Sequence, residues 1–193
     1  MARQPLSLKA RAIALLAQRE HSRLELRRKL LSIERRQRVA TAVNASRSGA
    51  KGAFDEADLG DDLDAAAAAD AQAADAAEAA EATVDALLDS LATGGYLNET
   101  RFVESRVHQR ASRFGVQRIQ QELAQHGLKL DAEQQDALRA SELERAREVW
   151  LKRFGPTPAR EPAEQARQTR FLLTRGFSPD LVRRLLRAQG SLD

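Results

Sequence analysis

Ser48 and Lys51 stand at the S-x-x-K spacing in which some acyl-transferring enzymes pair a hydroxyl nucleophile with a basic amine. They lie in a stretch containing Gly and Ser, without companion motifs, so no catalysis is assigned to them. His21, His108 and His126 fall at no metal-ligand spacing and are expected to cap helix ends or to lie in solvent. Asp61, Asp62 and Asp64 could attract a hard cation, but the calcium-loop pattern is missing and they read as a solvated acidic linker. No G-x-x-x-x-G-K-[ST] loop is present to cradle a nucleotide phosphate. No cysteine is present for thiolate chemistry, a disulfide or a zinc site. Trp150, Phe154 and Phe102 could stack on nucleobases, yet each lies on an apolar helical stripe and is assigned to a core. The residues therefore describe a non-enzyme with no cofactor and no metal.

What remains is cationic chemistry, and arginine dominates it, with 26 Arg against 5 Lys. The planar guanidinium suits forked contacts with phosphates and carboxylates. Residues 1–54 hold thirteen basic and three acidic side chains; residues 55–90 hold twelve acidic and no basic ones. Residues 91–193 hold eighteen basic and thirteen acidic. Two basic regions thus flank an acidic tract, which points to an anionic partner, either nucleic acid or an acidic protein surface. Candidate contacts in the first region are Arg27, Arg28 and Lys29. Further along they are Arg113, Arg118 and Arg153, then Arg167, Arg170 and Arg175, and finally Arg183, Arg184 and Arg187 opposite an apolar Val182 stripe.

The elements that must position these cations are helices. β-branched and aromatic runs are nearly absent, and apolar residues recur at helical spacing. A first helix is expected from Ser7 to Glu20. Ser22 and Glu25 form a capping box that opens a second through Leu26 and Leu30. Val84, Leu87, Leu88 and Leu91 mark a third, ended by Gly94 and Gly95. Asn98 caps the next, with Phe102, Val103, Val107 and Phe114 inward. Ile119 and Leu123 mark a helix closed by Gly127, and Asp131 caps a short one through Leu138. Ala146, Val149, Trp150 and Phe154 follow, stopped by Gly155, and Pro156, Pro158 and Pro162 span a loop. Ala166, Thr169 and Leu173 are read as the inner face of the next helix. Ser178-Pro179-Asp180 opens the last, whose buried face is Val182, Leu185 and Leu186.

Similar helix ends recur at Arg113 and Arg153, 40 residues apart, whereas Arg19 precedes Arg113 by 94. Deleting residues 32–81 reduces that interval to 44 and restores a period, so the segment reads as an insertion. Within it, 35–60 is expected to be disordered, and the Ala-rich tract 65–82 to be a solvated helix extending the Val84 helix backward. The fold class is all-α: an elongated stack of three tandem three-helix repeats, with a long Ala/Asp/Glu-rich insertion in the first. The units are 1–97 (with 32–81 inserted), 98–140 and 141–193, each too small to bury a core alone. Cysteine-free composition fits a reducing cytoplasm. No apolar window is long enough to cross a bilayer, and Lys9 and Arg11 interrupt any signal core. A monomer is expected.

Three segments carry a family resemblance. The run from Leu15 through Gln18-Arg19-Glu20-His21-Ser22 to Arg27-Arg28-Lys29-Leu30 resembles the N-terminal signature of RecX regulatory proteins. Gly95-Tyr96-Leu97-Asn98-Glu99-Thr100-Arg101-Phe102 resembles their second signature, and Arg175-Gly176-Phe177-Ser178-Pro179-Asp180 their third. The resemblance covers residues 7–31 and 83–190. It implies three tandem three-helix repeats, a cytoplasmic location and binding to the RecA filament on single-stranded DNA. It also implies inhibition of RecA ATPase, recombinase and co-protease activity, and so modulation of DNA repair and the SOS response. Relatives are expected to have a short connection where this chain has 32–81. The rival reading is a non-specific nucleic-acid-binding helical protein that acts without RecA.

Overall fold

The computed structural model describes residues 6–49, 62–156, 159 and 161–190. All regular structure among them is α-helical. The chain divides into two compact units, Met1–Asn98 and Glu99–Asp193.

The first unit contains α1 (Leu8–Leu16), α2 (Arg23–Gly49) and α3 (Asp62–Thr93). The Ser7 side chain caps α1 by accepting from the Ala10 N–H at 3.2 Å, and Ser22 caps α2 by accepting from Glu25 at 3.1 Å. Ala12, Leu26, Leu30, Val84, Leu88, Leu91 and Leu97 form one buried cluster, so the apolar stripe read at Val84–Leu91 faces α1 and α2. α1 ends at Leu16, short of the expected Glu20, because Gln18 already donates back to Leu15 in a tightened turn.

Residues 35–49, expected to be disordered, are instead the continuation of α2. No glycine or proline interrupts the run from Arg23 to Ser48, and Ala, Arg and Gln favour helix. Across an open cleft Leu31, Val39 and Ala42 face Ala73, Ala76 and Ala77 of α3, and Val39 stays 59% exposed, so local propensity rather than burial holds these turns. Residues 50–61 lie outside the described residues, and with them Lys51 and Asp61; the side chains of Ser48, Asp62 and Asp64 are likewise outside. α3 carries the Ala-rich tract directly into the Val84 stripe, and its side chains from Asp70 to Ala79 are exposed.

The second unit holds α4 (Glu99–Ala111), α5 (Val116–Ala124) and α6 (Ala132–Ala140), followed by α7 (Glu142–Phe154), α8 (Pro162–Thr174) and α9 (Pro179–Gly190). Two cores form. Phe102, Val103, Val116, Ile119, Leu123 and Leu138 make one; Ala146, Trp150, Leu172, Phe177, Val182 and Leu185 make the other. Phe102 and Trp150 are buried, as their stripes require, while Phe154 is half-buried against Phe171. Asp131 caps α6 in a reciprocal box with Gln134. On α8 the inner face differs from the reading at Ala166, Thr169 and Leu173. Gln168 and Leu172 are buried, and Leu173 is 39% exposed. The reason is polar: the Trp150 indole N–H, sealed in the core, donates to Gln168 Oε1 at 2.9 Å, and that bond sets the rotation of α8.

The two cores are joined by backbone and by two charged side chains of α7. The Gly115 N–H donates to Arg175 O at 2.9 Å, and the Gln117 N–H to Gly176 O at 3.3 Å. Buried Glu142 accepts from the Val116 N–H at 2.8 Å, satisfying an orphan donor in the first turn of α5. The Arg145 guanidinium donates to Ala111 O and Phe114 O, both at 2.8 Å, and to Leu138 O at 2.7 Å. Ala111 O and Leu138 O lie in the last turns of α4 and α6 and Phe114 O in the turn after α4, where carbonyls lack intrahelical donors. Glu142→Ala is expected to cost about 1–3 kcal/mol, because it strands a buried N–H. Glu142→Gln should cost clearly less, since an amide oxygen can still accept; paired urea titrations measure the difference.

Candidate partner-binding arginine faces

On α9, Val182 and Leu185 point into the core, and helical geometry turns Arg183, Arg184 and Arg187 to solvent. Arg183 pairs with Asp180 one turn earlier, while Arg184 and Arg187 make no ion pair among the described residues. Arg167 and Arg170 are exposed on α8, and only Arg167 has an acid beside it, Glu164 at 3.3 Å. Arg175 lies across the Phe171 ring, 3.8 Å from its centroid. Burial lowers its affinity for a proton, and the nearby positive Arg153 adds to that. Arg153 and Arg113 are exposed at the ends of their helices without an ion pair among the described residues. Arg118 is exposed on α5, its Nε 3.7 Å from Glu122.

The first-region cluster is different. Arg27 is bound inside its own unit, with Nε 2.7 Å from Asp85 and Nη2 2.8 Å from Glu81. Its hydrogen bonds to Asp85 and Glu81 raise its pKa and hold Asp85 below the usual carboxylate range. Lys29 is also occupied, 3.2 Å from Glu25 and 3.0 Å from His21 Nε2. Arg28 alone of the three is exposed and unpaired among the described residues. Sequence spacing could not show that Arg27 is taken, because Asp85 and Glu81 come from a helix more than fifty residues away in the chain; only the Glu25–Lys29 pair, four residues apart on α2, was visible in it.

His21, expected as a cap or in solvent, is buried. Its Nδ1 donates to Arg19 O at 2.9 Å, so Nε2 is left to accept from Lys29. Burial lowers its pKa, outweighing the Arg19 carbonyl bond that favours the charged ring. Burial pushes Glu25 upward, but hydrogen bonds from Arg19 and Lys29 overcome it and hold the carboxyl at about 2. Both shifts act in the same direction on stability. Below about pH 6.5 the unfolded chain takes up a proton that folded His21 resists; below about 4.5 it takes up one that folded Glu25 resists. The first unit should therefore lose stability as pH falls from 6.5, with the Glu25 part, on the order of 2–3 kcal/mol, draining away toward pH 2. Urea midpoints at pH 7, 5 and 3 check this, and Glu25→Gln should flatten the acid limb.

Among the described residues no group of His, Asp and Glu is placed to hold a metal ion, and no helix is long and apolar enough to cross a membrane. Fold and surface define a class: an all-helical protein of consecutive three-helix units that carries exposed arginines on its outer helices. Profiles of the second and third three-helix domains of RecX match residues 98–132 and 140–186. The chain is 43% identical to the regulatory protein RecX of Leptothrix cholodnii over 96% of its own length and 90% of the relative's. It is 42% identical to that of Ralstonia nicotianae, over 98% and 92%. It is 37% identical to that of Herminiimonas arsenicoxydans, over 98% and 97%. The chain belongs to the RecX family of regulatory proteins.

Proposed function

We propose that this chain binds the RecA filament on single-stranded DNA and restrains its ATPase, recombinase and co-protease activities, modulating DNA repair and the SOS response. It does so in the cytoplasm, as a monomer, without catalysis or cofactor. The observation that carries the reading is the near full-length similarity to proteins named regulatory protein RecX. The arrangement of charge supports it. Arg184, Arg187 and Arg170 are exposed and without ion pairs among the described residues, free to meet phosphates or a partner's carboxylates. The units 1–97, 98–140 and 141–193 would each make weak contacts, and such contacts multiply on a polymer and stay weak on a free protomer.

The test is to measure affinity for bare single-stranded DNA and for RecA-coated DNA at physiological salt, with RecA ATPase followed in parallel. Tighter binding to the coated strand together with a fall in ATPase is the expected result. Equal affinities and unchanged ATPase would favour a non-specific nucleic-acid-binding protein that acts without RecA.

A further inference from the structure

Between α4 and α5 lies a cavity of about 250 Å³ lined only by polar side chains. Arg106 and Arg110 enter from α4 and Arg118 from α5, with Gln121, Gln125 and His126 completing the wall. Each α4 guanidinium is held in place by an aromatic ring. Arg106 sits 5.1 Å from the Phe102 centroid and Arg110 5.6 Å from that of Phe114. His126 packs edge-on against the same Phe102 ring at 4.9 Å. One acid faces this group: Glu122 lies 2.9 Å from Arg110 Nε and 3.7 Å from Arg118 Nε. It fixes two of the guanidiniums and neutralises one positive charge of three.

The backbone of Arg118 is itself fixed by the turn at Gly176, where a Cβ would come within 2.5 Å of the Arg118 N and Cβ. The Glu122-bound Arg110 and the backbone that carries Arg118 are therefore positioned before any ligand arrives, which lowers the ordering cost of binding.

We propose that this cavity is a phosphodiester site for single-stranded nucleic acid. Guanidinium forks and carboxamide N–H groups match the several acceptor oxygens of a phosphate. The volume lies just below the range of small-molecule pockets, enough for a phosphate and part of its sugar. An acidic peptide is the poorer fit, because the wall is mostly polar and offers little apolar surface for its flanking side chains. The inference deepens the proposed function by naming where the strand itself is held.

The experiment follows the Nε–H signals of Arg106 and Arg118 and the amide signals of Gln121 and Gln125 by NMR. A short oligothymidylate, inorganic phosphate and a polyglutamate peptide are titrated separately. The oligothymidylate should shift all four sets. Arg106→Gln with Arg118→Gln should weaken binding to the bare strand about tenfold and reduce the salt slope by about 2. Glu122→Gln should strengthen binding, because it removes the neutralising charge. No shift, a shift with the peptide alone, a shift with inorganic phosphate alone, or weaker binding by Glu122→Gln overturns the site. Filament binding by the unaltered protein is measured alongside. If it persists while the four signals stay still, the site falls and the filament reading stands. If the signals move while filament binding is absent, the reverse holds.

Discussion

Gly115→Ala is expected to lower the stability of the Glu99–Asp193 unit by about 3 kcal/mol or more, a fall in melting temperature of more than about 10 °C for a unit of this size. The φ of Gly115 is −74°, which alanine adopts freely, so the penalty is one of space alone. A Cβ there would overlap the carbonyl group of Gly176 and the N–H of Phe177, all backbone atoms that cannot swing aside. Separating the two turns would weaken the bonds from Gly115 to Arg175 and from Gln117 to Gly176, each contributing about 1 kcal/mol, and overpacking adds about 1–3 kcal/mol. Gly127→Ala is the matched control. Its φ is +73° but nothing lies within 4 Å of the added carbon, so backbone strain of roughly 1–2 kcal/mol is the whole effect. The sole tryptophan, Trp150, is fully buried in the core that this interlock supports, and its fluorescence reports the transition. Melting of Gly115→Ala within about 2 °C of the unaltered protein would show that the glycine contact does not hold the two cores together.

Reversing Arg183, Arg184 and Arg187 together to glutamate is expected to weaken filament binding at least about 100-fold, near 2.7 kcal/mol. The change moves six units of charge on one face of α9, turning attraction to phosphates or acids into repulsion. Stability should hardly move. The three side chains are exposed, the Arg183–Asp180 pair is a surface pair of small worth, and Val182 and Leu185 are untouched. Arg187 in the last turn favours the helix dipole, so its reversal costs about 0.3–1 kcal/mol. Circular dichroism and affinity for RecA-coated DNA give the two readouts. Lost helix content would make these residues structural, and unchanged affinity would move the contact surface elsewhere. Arg27→Glu should behave oppositely: it leaves Asp85 and Glu81 facing a third carboxylate and destabilises the first unit directly.

The sequence by itself determined the helices, their order and most of their inner faces. Capping residues such as Ser7, Ser22 and Asp131, and apolar stripes such as Val84–Leu88–Leu91, act through neighbours three or four positions away, and that spacing is visible in the chain. It also made the arginines conspicuous. It did not say which were free. Asp85 claims Arg27 across two helices, whereas Glu25 and His21 claim Lys29, and Phe171 claims Arg175, from a few positions away in the chain. A partner as distant in the chain as Asp85 is chosen by packing, which local pattern does not encode. The same holds for the rotation of α8, decided by what the buried indole of Trp150 had to meet. The persistence of α2 through residues 35–49, by contrast, follows local helix propensity, with no proline and no glycine before Gly49 to break the run. Local spacing fixes what a segment can become; only three-dimensional proximity fixes which charges and polar groups are left over for a partner.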